Sequence, residues 1–259
     1  MKMILVLIIF PISIFCQPKY DSLGKYSYPI LVFSNHHLSK GTGFFIKKSE
    51  SLYFITALHV VSGYDSAGNK PQFPRDSINI LFKESMGYVT LNISSMFDNY
   101  IYQDFSVSPD ICVMKVPDYW KSAVNTIERL FTSKTTFNEE LLVCGYPGTN
   151  YTSMDKNNLE IDDKAANINF PANTFVSTTS SVNLSIKHLF PNNHKGYYPG
   201  YSGSPVYVFD NTTQKWTVLA LMSSYKEDKK GFEYFRLPLL KYITKAIEDN
   251  QYFLPTESR

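Results

Sequence analysis

Only three of the 259 residues are cysteine, and one of them, Cys16, lies in an apolar run at the N-terminus. The remaining two, Cys112 and Cys144, are too few for a disulfide scaffold, so stability has to come from the core. Both sit in apolar runs, "DICVMKV" and "LLVCGYPG", and read as buried small hydrophobes. Charge of one sign is missing too: 25 Lys and Arg stand against 23 Asp and Glu, with no block of like charges. Nothing in that balance attracts nucleic acid or an anionic membrane surface, and neither is expected as a partner. There is no H-E-x-x-H, no paired C-x-x-C and no glycine-rich loop entering a helix, so no metal and no cofactor are implied.

Glycine is scarce, 12 residues where an average composition would give about 18. Seven of them (Gly41, Gly43, Gly145, Gly148, Gly196, Gly200, Gly203) crowd into three short motifs. A chain that otherwise avoids glycine places it where backbone bends sharply or approaches something closely. Long apolar runs are limited to the N-terminus, where Lys2 precedes Met3 to Cys16. That run is shorter than the ~20 residues a spanning helix needs, and it reads as a signal peptide, residues 1–16, cut before Gln17. Lipid attachment at Cys16 is the rival reading, against which Phe15 is bulky where lipoprotein signals carry a small residue. A secreted or periplasmic location and no membrane span are expected either way.

What is present is mostly short strands. β-Branched and aromatic residues alternate with polar ones, and Gly, Pro, Asn or Asp clusters interrupt them. "YPILVF", "GTGFFIKK", "SLYFITA", "SINILFK", "YVTLNIS", "DICVMKV", "ELLVCGY", "TFVSTTSSVN", "PVYVFD" and "WTVLALMSS" are the candidates. They predict an all-β barrel or sandwich. One helix is expected over residues 237–250, with Leu237, Leu239, Leu240, Ile243 and Ile247 at helical spacing and Pro238 in the first turn. A polar stretch, residues 121–138, links an N-terminal β unit (17–120) to a C-terminal one (139–236).

The stretch "PGYSGSPV", from Pro199 to Val206, is either an ordinary turn or the seat of a nucleophile. Chain order tests it. An α/β-hydrolase needs its histidine after the serine, but the last histidine, His194, precedes Ser202, and Ser204 stands where a G-x-S-x-G elbow needs glycine. A subtilisin order needs an alternating α/β chain. The order left is His, Asp, Ser. His36, His37, His188 and His194 lie in polar loops and read as surface residues, whereas His59 follows "SLYFITA" at a strand-to-turn step that holds a side chain firmly. Asp110 opens a buried strand, where a carboxylate needs a donor such as a histidine ring; a turn-capping role after Pro109 is the bland reading.

"GTGFFI", "FITALHVV", "DICVMKV", "GYPG" and "PGYSGSPV", in this order, resemble the trypsin/chymotrypsin-like serine peptidases. The likeness is greatest to the bacterial secreted branch with the glutamyl endopeptidases and high-temperature-requirement proteases. The resemblance spans nearly the whole chain after the leader. It implies two packed six-stranded antiparallel β-barrels with a C-terminal α-helix, and a protein or peptide substrate cut through an acyl-enzyme. It implies His59 as base, Asp110 as its orienting acid and Ser202 as nucleophile, with the N–H groups of Gly200 and Ser202 as oxyanion donors; Ser204 is then structural. Gly196, Tyr197, Tyr198, Pro199, Met222, Ser223, Ser224 and Tyr225 would make the substrate pocket. Tyr201 departs from the pattern, since digestive relatives carry there an aspartate that receives a new N-terminus. An esterase on the same fold, or a silent binding protein, are the alternatives.

Overall fold

The computed structural model describes residues 22–33, 38–62, 77–82, 87–93, 110–128, 130, 139–148, 165–179, 183–189, 199–211, 213–231 and 233–257. Six antiparallel strands make the first β unit: β1 (Ser27–Phe33), β2 (Leu38–Lys48), β3 (Ser51–Thr56), β4 (Ser77–Phe82), β5 (Gly87–Asn92) and β6 (Cys112–Val116). They run in the order β5-β4-β1-β2-β3-β6. Period-2 alternation drives their formation; in β4, Ile78, Ile80 and Phe82 are buried and the residues between them are not. Phe45 is the centre of this core, in ring contact with Tyr28, Phe54, Phe82 and Trp120. Burying one such ring contributes roughly 1.5–3 kcal/mol.

The stretch expected as a linker contributes β7 (Thr126–Ile127), which pairs in parallel with β2, and Leu130 bridges onward to Val218. The second β unit has β8 (Leu141–Gly145), β9 (Ala166–Phe170), β10 (Phe175–Thr179), β11 (Asn183–His188), β12 (Pro205–Asp210), β13 (Lys215–Leu221), β14 (Ser224–Glu227) and β15 (Glu233–Pro238). They form two four-stranded sheets, β13-β12-β8-β9 and β10-β11-β15-β14. Phe170, Phe175, Leu184, Phe235 and Leu237 fill the space between the sheets. Two short helices, α1 (Leu58–Ser62) and α2 (Lys241–Glu248), complete the chain with β16 (Thr256–Glu257), which joins β5. The class is all-β with a C-terminal helix, as the sequence predicts.

Several local expectations need correction. The C-terminal helix begins at Lys241, not at residue 237. Leu237 and Pro238 instead end β15, opposite Leu184 and Asn183, because burial of Phe235 and Leu237 two residues apart is a strand pattern. The stretch read as one strand, residues 174–183, is divided between β10 and β11, which pair as antiparallel neighbours. β9, β14, β15, β16 and all of β11 after Asn183 are not expected from the sequence; β9 and β14 are polar and half-exposed, and carry a weak apolar signal.

Cys112 and Cys144 are both free and buried. Burial, with the Asp110 charge beside it, pushes the Cys112 thiol far up, and burial pushes Cys144 up to about 12. Among the described residues no helix is long and apolar enough to cross a membrane. Residues 1–16, expected as a signal peptide, lie outside the described residues.

Candidate active site

The site is built where the end of β3 passes the start of β6. Thr56 pairs with Cys112, so Asp110, two residues before Cys112, lies beside α1, which starts just after β3. Asp110 is 3% exposed, and its carboxylate takes three donors. The backbone N–H of His59 donates to Oδ1 at 2.9 Å, and His59 Nδ1–H and the Ser223 hydroxyl each donate to Oδ2 at 2.6 Å. Burial alone would push the Asp110 pKa up. The His59 charge and the hydrogen bonds from His59 and Ser223 outweigh it, and hold the carboxyl below its ordinary value. An ionised carboxylate only accepts hydrogen bonds, so in the neutral ring Nδ1 carries the proton and Nε2 keeps its lone pair.

The loop of Ser202 is fixed from below by β2. Thr42 donates its backbone N–H to the Ser202 carbonyl and its hydroxyl to the Gly200 carbonyl, both at 2.9 Å, and accepts from the Tyr146 N–H. Its own carbonyl accepts the Thr56 hydroxyl at 2.8 Å. One buried threonine thus ties the serine loop to the strand that leads to His59. Gly203 N–H donates to the Met222 carbonyl and Met222 N–H to the Ser204 carbonyl, locking the loop to the end of β13.

Two glycines permit this path. Gly200 and Gly203 have φ of +97° and +89°, in the left-handed region that side chains disfavour. A Cβ at Gly203 would stand 2.9 Å from the Ala57 nitrogen and collide with the Thr42 carbonyl, and one at Gly200 would stand 2.7 Å from the Gly148 nitrogen. The backbone N–H groups of Gly200 and Ser202 donate to no acceptor among the described residues. The Ser202 hydroxyl donates to the Ser223 carbonyl at 3.3 Å. Ser204 is fully buried, and its hydroxyl has no hydrogen-bond partner among the described residues.

Ser223 is therefore the join between the parts: its carbonyl meets Ser202 and its hydroxyl meets Asp110. The sequence assigns it to a pocket wall. Its second job, and the hub role of Thr42, were missed. The signal for Thr42 was its place between two glycines of "GTGFFI"; Ser223 carries none. Among the other pocket candidates, Met222 is buried in the second core, Ser224 and Pro199 are exposed, and Tyr225 is half-buried. The Tyr225 ring lies 5.4 Å from that of Phe235 and its hydroxyl donates to Glu227. Gly196, Tyr197 and Tyr198 lie outside the described residues, as do His36, His37 and His194. His188, expected on the surface, is half-buried, with Nδ1 3.6 Å from the buried Glu233 and its ring against Phe170. Burial lowers its pKa against the opposing pull of Glu233. Among the described residues no three His, Cys, Asp or Glu side chains form a metal-binding group.

Tyr201 is 5% exposed and belongs to the second core. Burial pushes its hydroxyl up to about 12, with a smaller contribution from Cys144. No family model and no curated protein matches this sequence. Solved structures do match. The chain is similar to a thermostable serine protease, AL20, from an extremophilic microorganism, at 15% identity and a TM-score of 0.50, covering 83% of this chain and 91% of that one. It is also similar to the serine endoprotease from Yersinia pestis, at 13% identity and a TM-score of 0.52, covering 87% of this chain and 62% of that one. At such identity the likeness establishes architecture: the chain has the fold of the trypsin/chymotrypsin-like serine proteases.

Proposed function

We propose that this chain is an exported serine endopeptidase of the bacterial secreted branch, acting through Ser202, His59 and Asp110. The observation that carries the reading is the buried Asp110 carboxylate, bound twice by His59 and joined through Ser223 to the Ser202 hydroxyl. A carboxylate so placed fixes the ring tautomer and stabilises the imidazolium that forms during proton transfer.

Each step has a residue suited to it. Ser202 Oγ attacks the peptide carbonyl carbon as its proton passes to His59 Nε2. The carbonyl oxygen becomes an anion and takes hydrogen bonds from the N–H groups of Gly200 and Ser202, a type of contact whose loss costs ~10²–10³ in rate. Collapse of the tetrahedral intermediate returns the proton from Nε2 to the leaving amine and leaves an acyl group on Ser202. Water, deprotonated by the same nitrogen, then releases it. No step calls for a metal or cofactor.

The test is labelling by an active-site fluorophosphonate. Wild type and Ser204→Ala are expected to label and Ser202→Ala to remain unlabelled; a folded wild type that does not label overturns the hydrolase reading. Cleavage of peptides separates a peptidase from an esterase. Export is tested by recovering the protein outside the cytoplasm with Gln17 as its first residue; a protein that retains residues 1–16 in the cytoplasm refutes that part.

A further inference from the structure

Outside the catalytic residues, the described surface has a groove of about 380 Å³ on the outer face of the β10-β11-β15-β14 sheet. Its lining comes from all four strands and combines the apolar Val176, Ile186 and Phe235 with Lys187, Lys226 and Arg236. Three of these are cations, and among the described residues no carboxylate lines the groove. Lys226 is exposed and forms no ion pair among the described residues. Glu227 and Glu233 belong to the same strands but alternate to the opposite face.

One lining residue adjoins the candidate active site in the chain. Ser224, which lines the groove, follows Ser223, whose carbonyl lies 3.3 Å from Ser202 Oγ. β14 is also the end strand of its sheet, the position at which an extended peptide can add as a further strand. A peptide lying antiparallel along β14, with its scissile carbonyl at Ser202, has the residue before the cut opposite Ser223. The second residue before the cut then falls opposite Ser224, the third opposite Tyr225 and the fourth opposite Lys226. Directly opposed residues share a face, so the second and fourth project into the groove and the third does not.

We infer that this groove is a specificity subsite for an acidic side chain, Asp or Glu, at the fourth residue before the scissile bond, held by Lys226. Arg236, the cross-strand neighbour of Ser224, extends the same preference more weakly to the second residue. This inference rests on the peptidase reading above and names the substrate class of that site: peptides acidic on the amino-terminal side of the cut.

The experiment uses paired fluorogenic peptides that carry Glu or Gln at the fourth position, with fluorophosphonate labelling of Ser202 measured alongside. Wild type is expected to favour Glu about 3- to 5-fold in kcat/KM, the range for a part-exposed ion pair, and the preference should vanish in about 0.5 M salt. Lys226→Glu is expected to invert the order, and Lys226→Gln to abolish it. Equal rates for the two peptides in a wild type that labels and cleaves overturn this inference alone, as does a Glu preference that persists in Lys226→Glu. Absence of both labelling and cleavage overturns the peptidase reading and the inference with it.

Discussion

The Ser223 hydroxyl and the Asp110 carboxylate meet at 2.6 Å in a buried setting, although 113 residues separate them. That contact joins the two β units at the point where the candidate base is oriented. Ser223→Ala removes one of three donors to a buried anion, and a hydrogen bond to a charged group is worth about 1.5–3 kcal/mol. The Asp110 pKa is lowered in the folded protein. The stability it contributes is therefore present above the unfolded value, about 3.9, and is lost as pH falls through the folded one. In Ser223→Ala the folded value rises, so acid unfolding followed by circular dichroism should begin at a higher pH than in wild type. Asp110→Asn should remove this titration from the acid limb and lower kcat by about 10⁴, as expected for a base held in the wrong tautomer. An unchanged acid midpoint in Ser223→Ala would show that the contact does not hold the carboxylate.

Gly203→Ala tests the loop. Its φ of +89° strains any side chain, and the new methyl group would meet the Thr42 carbonyl and the Ala57 nitrogen, both backbone and unable to swing aside. The expected cost is about 3 kcal/mol or more, from left-handed strain plus overpacking. Because Thr42 holds the Ser202 carbonyl and Ala57 opens the turn that carries His59, labelling at Ser202 should fall even at temperatures where the variant remains folded. A variant with wild-type melting and labelling would contradict the tight approach of these backbones.

Tyr201 supplies core rather than a switch. Its ring packs beside Gly145 within the second hydrophobic cluster. Tyr201→Asp should bury an unpaired carboxylate and destabilise by about 3–5 kcal/mol. No gain of activity on N-terminal trimming is expected; thermal melting and labelling of the variant before and after trimming at Gln17 decide it.

Chemistry constrains the chain order of a candidate His, Asp and Ser before any fold is known, and the resemblance singles out His59, Asp110 and Ser202 within it; their contacts were not legible. The strands that carry Phe45, Ile80 and Val143 were legible from alternation. β14 and β9 were not, since pairing with neighbours rather than burial makes them strands, and pairing leaves no mark on a single stretch. Pro238 misled for a related reason: it suits a first helical turn locally, and only the match of Leu237 to Leu184 across β15 and β11 decides otherwise. Thr42 and Ser223 were invisible as partners because their bonds span 158 and 113 residues.

The C-terminal tail carries the last prediction. After α2 the chain returns to the first β unit, where Phe253 N–H donates to the Val113 carbonyl and Lys115 N–H to the Phe253 carbonyl, each at 2.9 Å. Tyr252 packs edge-on against Tyr53 at 5.4 Å, and Thr256 and Glu257 then pair with Asn92 and Leu91 of β5. β5 and β6 are the two strands at opposite ends of the six-strand order, so the tail joins them and closes that sheet. Removing residues 251–259 deletes several hydrogen bonds of about 0.5–1.5 kcal/mol each and one ring contact. A loss of about 2–4 kcal/mol is expected, or roughly 5–15 °C in Tm for a chain of this size. β6 begins two residues after Asp110, so hydrogen exchange should rise in β5 and β6, and labelling at Ser202 should slow, while β12 and β13 keep their protection. Uniform loss of protection across both β units would mean that the tail stabilises the whole fold instead of holding the strand next to Asp110.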